Sequence, residues 1–205
     1  MIKRQCNNGY RTDSPYLKHR GQIWHINIAK SGIHTKMFRQ FMDELLIMLT
    51  YDSKVFMYRF DLSPASYQDD NSVLSKFNKE LKQILIRKYK LKTMGFAWCR
   101  EQNKSTKHHY HYILMLEGHK KNTPINLKNI ILKKWMDLGQ SRIHWVAFHN
   151  VTRKKDDNLL SAVFHASYIA KTATKGNVTN YTKDFATSRL KPANDKDINN
   201  ILKLA

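Results

Sequence analysis

Acidic residues and long apolar runs are both scarce in this chain. Its 16 Asp and Glu residues stand against 36 Lys and Arg residues, which gives a formal net charge of +20. Such an excess favours a polyanionic partner, with nucleic acid first and a membrane surface as the competitor; plain solubility is the alternative without a partner. No apolar run approaches the roughly 18 residues that a spanning helix needs, and no apolar signal segment begins the chain. We therefore expect no membrane partner.

Cysteine is nearly absent as well. Cys6 and Cys99 are the only two, too few for a disulfide framework or a cysteine-based zinc site, and we expect a reducing cytoplasm. Aromatic residues make up 11% of the 205 residues, which argues against disorder and for one domain with a real core.

Hydrophobic periodicity predicts an α+β chain. Alternation predicts strands at 55–62, 94–102, 108–116 and 142–149, and helical spacing predicts helices at 72–89, 123–138 and 159–173. The first six elements follow the βαββαβ pattern of a ferredoxin-like or RRM-like antiparallel sheet, and the last helix follows them. We expect the helices on one sheet face and the active site on the other, with strand 108–116 in the middle.

The regions outside these elements are basic. Residues 1–50 are interpreted as a basic N-terminal arm with a possible strand at 23–29 and an amphipathic helix at 35–49. Residues 51–175 form the predicted core. Residues 176–205 form a basic C-terminal tail with a possible short helix at 195–204.

Two histidines on the strand at 108–116 are the first chemical signal. Side chains alternate across a strand, so His109 and His111 project from the same face. Two neighbouring imidazoles on a stiff strand can hold one divalent metal ion. The alternative is a strand with two partly exposed histidines, because the chain holds ten.

The strand at 94–102 supplies a third candidate ligand. Gly95, Ala97 and Cys99 are small and leave room for a ligand above the sheet, and Glu101 shares their parity. Pairing of the bulky faces across the hairpin puts Glu101 on the histidine side. Gln102 replaces it if the hairpin slips by one residue, and an ordinary ion pair of Glu101 with a basic neighbour is the structural alternative. Two imidazoles and a carboxylate suit Mg²⁺ or Mn²⁺ more than structural zinc.

A candidate nucleophile lies on the last predicted helix. Tyr168 and Lys171 are three positions apart and therefore neighbours on its surface. An ammonium group beside a tyrosine favours the phenolate and can neutralise charge on an attacked phosphate. Taken alone, the pair is more typical of a structural tyrosine near a surface lysine, and its weight comes from its combination with the metal-competent strand and the basic charge. Tyr181 is a second candidate, but it has no lysine at the matching spacing.

The order of these motifs resembles the HUH replication initiators that start rolling-circle DNA synthesis, and in particular the gene-2-type replication proteins of filamentous phages. The similarity covers roughly residues 50–190. It rests on four segments: residues 59–63 (RFDLS), 98–102 (WCREQ), 109–111 (HYH) and 167–171 (SYIAK). The core at 51–175 would then be an HUH endonuclease domain. No helicase or ATPase motif is present.

The resemblance implies metal-dependent nicking and joining of single-stranded DNA at a replication origin, in the host cytoplasm. His109, His111 and Glu101 would hold the metal, Tyr168 would form a 5′-phosphotyrosine link, and Lys171 would orient or neutralise the phosphate. Arg59 and Lys175 are candidate DNA contacts. A host helicase and a host polymerase would be partners.

Two other functions fit the same sequence. A plasmid-mobilisation relaxase differs in biology more than in chemistry. A non-catalytic module that binds single-stranded nucleic acid would place aromatic side chains on its open sheet face. In this chain the aromatic residues Phe56, Tyr58, Phe60, Phe96 and Trp98 share the parity of the helix-covered face instead.

Overall fold

The α+β class is confirmed by the computed structural model of the chain, which describes residues 10–28, 31–102, 108–154, 156–172, 183–193 and 198–202. Within these residues the helices are α1 (Thr35–Tyr51), α2 (Ser72–Tyr89), α3 (Leu127–Asp137) and α4 (Asp157–Ser167), and a 3-10 helix (Tyr168–Ala170) follows α4. The strands are β1 (Arg11–Thr12), β2 (Tyr16–His19), β3 (Gln22–His25), β4 (Ile33–His34), β5 (Lys54–Leu62), β6 (Gly95–Gln102), β7 (His108–Glu117), β8 (Ile143–Thr152) and β9 (Phe185–Thr187).

Five of the strands form one antiparallel sheet in the order β8-β5-β7-β6-β9. The histidine strand β7 lies in its centre, between β5 and β6, as predicted. The side chains of β7 are therefore fixed to one face or the other by the register with two neighbours.

One sheet face packs on α2 and α3. The aromatic parity predicted from the sequence holds here, because Phe56, Tyr58, Phe60 and Trp98 are all buried against these helices. Phe77 of α2 is fully buried with its ring 5.3 Å from that of Trp135. Burying several large rings on one face stabilises the sheet and leaves the opposite parity for other uses.

The opposite face is not open, which corrects the expectation that helices cover one face only. Helices α1 and α4 pack on it, over Val55, Met57, Ile113 and Met115. These apolar side chains need cover from water. The small residues of β6 accommodate α1 rather than a ligand, since a Cβ at Gly95 would lie 2.8 Å from Cγ of Met48.

The described part of the N-terminal region belongs to the folded core and is not only a basic arm. The possible strand and the helix both exist, as β3 and α1, and Leu17, Trp24 and Ile26 are buried in the same core as the sheet. At the other end, residues of the predicted tail form β9, which pairs with β6. Most of the possible helix at 195–204 lies outside the described residues.

Two helices differ from the prediction in their bounds. Helix α3 begins at Leu127, because Asn126 has a positive φ of 61° and breaks the helical path from Thr123 and Pro124. Helix α4 spans Asp157–Ser167 instead of 159–173, and it begins after Asp156, whose carboxylate accepts a hydrogen bond from the backbone N–H of Leu159. No helix within the described ranges is long and apolar enough to cross a membrane.

Candidate metal centre and nucleophile

The hairpin register brings three predicted ligands to one place. Glu101 pairs directly with His109 across β6 and β7, and Cys99 pairs with His111. Because residues two apart share a face, Glu101 lies beside both histidines. Gln102 pairs instead with His108, so the register that would make Gln102 the third ligand does not occur.

The side chains of Glu101, His109 and His111 converge closely enough to hold a metal ion. Each offers one ligand atom, and these atoms lie within 4.8 Å of one another. Oε2 of Glu101 lies 3.3 Å from Nε2 of His109 and hydrogen-bonds Nε2 of His111. Glu101 and His111 are buried, whereas the side chain of His109 is 31% exposed. The cluster is therefore reachable from solvent on the His109 side.

The electrostatics of the cluster favour a charged carboxylate. Burial alone would raise the pKa of Glu101, but hydrogen bonds from His109 and His111 hold that pKa well below its usual range. Burial alone would lower the pKa of His111, but hydrogen bonds to Asp61 and Glu101 raise it. A carboxylate with two imidazole nitrogens is a donor set that fits a divalent cation, which would take the place of the proton on Nε2 of His111.

Asp61 is a contributor to this centre that sequence reasoning did not identify. It pairs with His111 across β5 and β7, and its Oδ1 lies 2.7 Å from Nδ1 of His111. A carboxylate on the remote ring nitrogen fixes the orientation of a ligand histidine and raises its basicity. The sequence did contain a signal for this role, because alternation along β5 places Asp61 on the face opposite the aromatic residues.

A third histidine of β7, His108, lies in a different environment. His108 lies on the other face of β7, where its ring contacts Tyr67 at 5.5 Å. Burial, together with the charge of Arg100, lowers the pKa of His108 to about 4. Arg100 itself is buried and donates to the backbone carbonyl oxygens of Gln68 and Asp70. It is therefore not the ion-pair partner of Glu101.

Tyr168 lies next to the ligand cluster. Its ring is 5.7 Å from the ring of His111, at an interplanar angle of 80°. The sequence predicted that the last α-helix continues through Tyr168, but in the structure Tyr168 lies in the 3-10 helix that follows α4. Residues i and i+3 eclipse in a 3-10 helix, so Lys171 still lies beside it, with Nζ 5.2 Å from the ring centre.

Arg59 contacts the tyrosine from β5. Its guanidinium carbon lies 4.6 Å from the centre of the Tyr168 ring, and Nη1 donates to the carbonyl oxygen of His165 at 3.3 Å. A guanidinium on an aromatic face is attracted by the ring quadrupole. Arg59, proposed from the sequence as a DNA contact, thus holds the tyrosine and its helix against the sheet. Lys175 and Tyr181 lie outside the described residues.

A histidine pair next to this arginine was also not anticipated. Nε2 of His149 on β8 lies 3.0 Å from Nδ1 of His165 on α4. Burial, together with the neighbouring His165, lowers the pKa of His149. The pair joins the edge strand of the sheet to the helix that precedes Tyr168.

Neither a curated protein nor a solved structure matches the chain. A family model does match, over residues 19–188, and this span includes the ligand cluster, Asp61, Arg59 and Tyr168. Since it covers well over half of the 205 residues, the chain belongs to the YagK/YfjJ C-terminal domain family.

Proposed function

We propose that this protein is an HUH-type endonuclease that nicks and rejoins single-stranded DNA through Tyr168 and so initiates rolling-circle replication. The observation that carries the proposal is the position of Tyr168 beside a metal-competent cluster, 5.7 Å from the ring of His111. Arg59 and Lys171 also place two cations 4.6 Å and 5.2 Å from the centre of the Tyr168 ring, where they can neutralise the charge of a phosphate group.

The topology supports the same proposal. The order β8-β5-β7-β6 is the arrangement expected when a βαββαβ unit folds as a ferredoxin-like sheet. In this interpretation α1, α4 and β9 are additions to that unit. The additions cover most of the second face and restrict the site to the end of the sheet where Glu101 and His109 pair.

The chain's own residues account for each part of the reaction. Glu101, His109 and His111 would hold a Mg²⁺ or Mn²⁺ ion. Bound there, the ion would polarise the scissile phosphate and stabilise its developing charge. Lys171 and Arg59 neutralise charge on the phosphate group beside Tyr168. Asp61 holds His111 in the orientation that directs Nε2 toward Glu101.

The covalent step is a displacement at phosphorus. The phenolic oxygen of Tyr168 bonds to the phosphorus and loses its proton to solvent, while the bond from phosphorus to O3′ breaks and O3′ gains a proton. The products are a 5′-phosphotyrosine and a free 3′-hydroxyl. That hydroxyl could prime a host polymerase, with a host helicase unwinding the duplex, and the reverse reaction rejoins the strand.

A nicking assay tests the proposal. Full-length protein is incubated with labelled single-stranded oligonucleotides from its own replicon, with Mn²⁺ or with EDTA, and resolved by denaturing electrophoresis. We expect an SDS-resistant protein–DNA adduct that requires the metal, disappears in Tyr168→Phe and persists in Tyr67→Phe. The second substitution removes a hydroxyl from an exposed tyrosine of the opposite face and serves as the matched control.

The other outcomes are equally informative. An adduct that persists in Tyr168→Phe would move the nucleophile elsewhere, with Tyr181 tested next. Salt-sensitive binding without cleavage of any strand, with any divalent metal, would overturn the nuclease in favour of a non-catalytic binding module. Cleavage at a transfer origin rather than a replication origin would identify a mobilisation relaxase with the same chemistry.

A further inference from the structure

A row of five aromatic rings runs from the β2–β3 hairpin across α4 to β8. Neighbouring ring centres are 5.4 Å apart from Tyr16 to His25, 5.0 Å from His25 to Phe164, 6.2 Å from Phe164 to His165 and 5.0 Å from His165 to His149. We call these five residues the aromatic strip. None of them belongs to the ligand cluster or to the predicted chemistry.

The hairpin presents its part of the strip to solvent. Tyr16 pairs with His25 and Lys18 pairs with Ile23, so the four side chains share one face. All four are exposed, and Tyr16 and Ile23 are 59% and 62% exposed. The opposite face of the hairpin is buried in the core. Large apolar side chains left in water in this way mark a binding surface.

A polar anchor holds the hairpin strand against α4. The backbone N–H of Asn27 donates to Oγ of Ser167 at 2.8 Å, and that hydroxyl donates to the carbonyl oxygen of Phe164 at 2.7 Å. Ser167 is completely buried. The rings of the hairpin and of α4 therefore keep a fixed spacing, which a stacking surface requires.

The aromatic strip passes close to the proposed nucleophile. Phe164 and His165 lie about one helical turn before Tyr168. Arg59 joins the two, because it donates to the carbonyl oxygen of His165 and lies on the ring of Tyr168. Nε of Arg59 is buried and has no hydrogen-bond partner among the residues that the structure describes. A polymer whose phosphate reaches Tyr168 can thus continue directly onto the strip.

We propose that the aromatic strip is a stacking platform for the bases of single-stranded DNA next to the scissile phosphate. Sequence-tolerant binding of a single strand combines aromatic faces with cations that follow the backbone. The strip supplies the rings, and Lys18, Arg59 and the net charge of +20 supply the cations. The choice of DNA as the ligand rests on the proposed nicking function.

The test separates stacking from charge. Fluorescence anisotropy at fixed ionic strength compares oligothymidylate with an abasic oligonucleotide of equal length, which has the same phosphates but no bases. We expect wild type to bind oligothymidylate more tightly. Tyr16→Ala combined with His25→Ala should weaken oligothymidylate binding about five-fold or more and leave abasic binding unchanged. Tyr16→Phe, which keeps the ring, should bind as wild type, and so should Met136→Ala, an exposed apolar control on α3.

Three results would overturn the platform. Unchanged oligothymidylate binding by the double variant would show that the strip contacts no base. An equal loss on both oligonucleotides would assign the effect to charge or folding. Self-association of wild type that the double variant abolishes, without any preference for bases, would make the strip a protein interface.

Nicking by Tyr168 is scored separately by the covalent adduct. A base preference that depends on the strip, without an adduct, would leave the platform standing while the nuclease fails. An adduct without that preference would do the reverse.

Discussion

Metal affinity should depend on Asp61 although this residue is not placed as a ligand. Its Oδ1 accepts a hydrogen bond from Nδ1 of His111 at 2.7 Å, and its side chain is only 18% exposed. Such outer partners of ligand histidines contribute about 10- to 100-fold in metal affinity, or about 1.4 to 2.7 kcal/mol. We expect Asp61→Asn near the lower figure, since an amide oxygen can still accept the bond, and Asp61→Ala near the upper one.

Isothermal titration with Mn²⁺ measures the effect directly. Asp137→Asn is the control, because it changes the net charge equally at an exposed carboxylate of α3 that pairs with Lys133. Glu101→Gln should abolish binding, since it removes the only carboxylate of the cluster. Unchanged affinity in both Asp61 variants would refute the orienting role. A wild-type protein that binds no Mn²⁺ would refute the metal centre itself.

Three further predictions concern stability. Gly118→Ala should cost about 1 to 3 kcal/mol, because its Cβ would lie 2.7 Å from Cβ of Lys54; an unchanged urea midpoint would show that the turn can shift. Asp156→Ala removes the cap of α4 and should cost about 0.5 to 2 kcal/mol in the same assay. Burial would raise the pKa of Asp43, but hydrogen bonds from its basic neighbours, His19 first, hold that pKa below the ordinary value of 3.8. The ionised Asp43 therefore stabilises the fold above pH 3.8, and this stabilisation is lost as the pH falls through the lowered pKa. Asp43→Asn should accordingly be less stable than wild type near neutral pH, and the difference between the two proteins should disappear in acid.

Most of the correct predictions rest on the alternation of side chains between the two faces of a strand. The aromatic residues at every second position of β5, and the alternation of large with small residues in β6, assign the faces of both strands without any tertiary information, because the side-chain period of a strand is two. The burial of Phe56 and Trp98 on one face follows from it. The position of Glu101 on the face of His109 and His111 follows from the same rule, once the hairpin pairs the bulky faces.

Periodicity did not reveal what covers the second face. The helical pattern of α1 was visible, but a pattern does not say where a helix packs. Gly95, Ala97 and Cys99 were interpreted as room for a ligand, and in the structure that room holds α1. Small residues permit close approach by any partner, so only the assembled structure identifies which one uses it.

The sequence by itself determined the α+β class, the approximate extents of α1, α2 and strands β5 to β8, the basic charge, and His109 and His111 as ligands with Glu101 or Gln102 as the third. These depend on local propensity and on the pairing of two strands joined by a hairpin. Tertiary structure alone placed Asp61 behind His111, Arg59 on Tyr168 and the aromatic strip beside it. Each of these contacts joins segments far apart in the chain, and their proximity depends on the packing of the whole core.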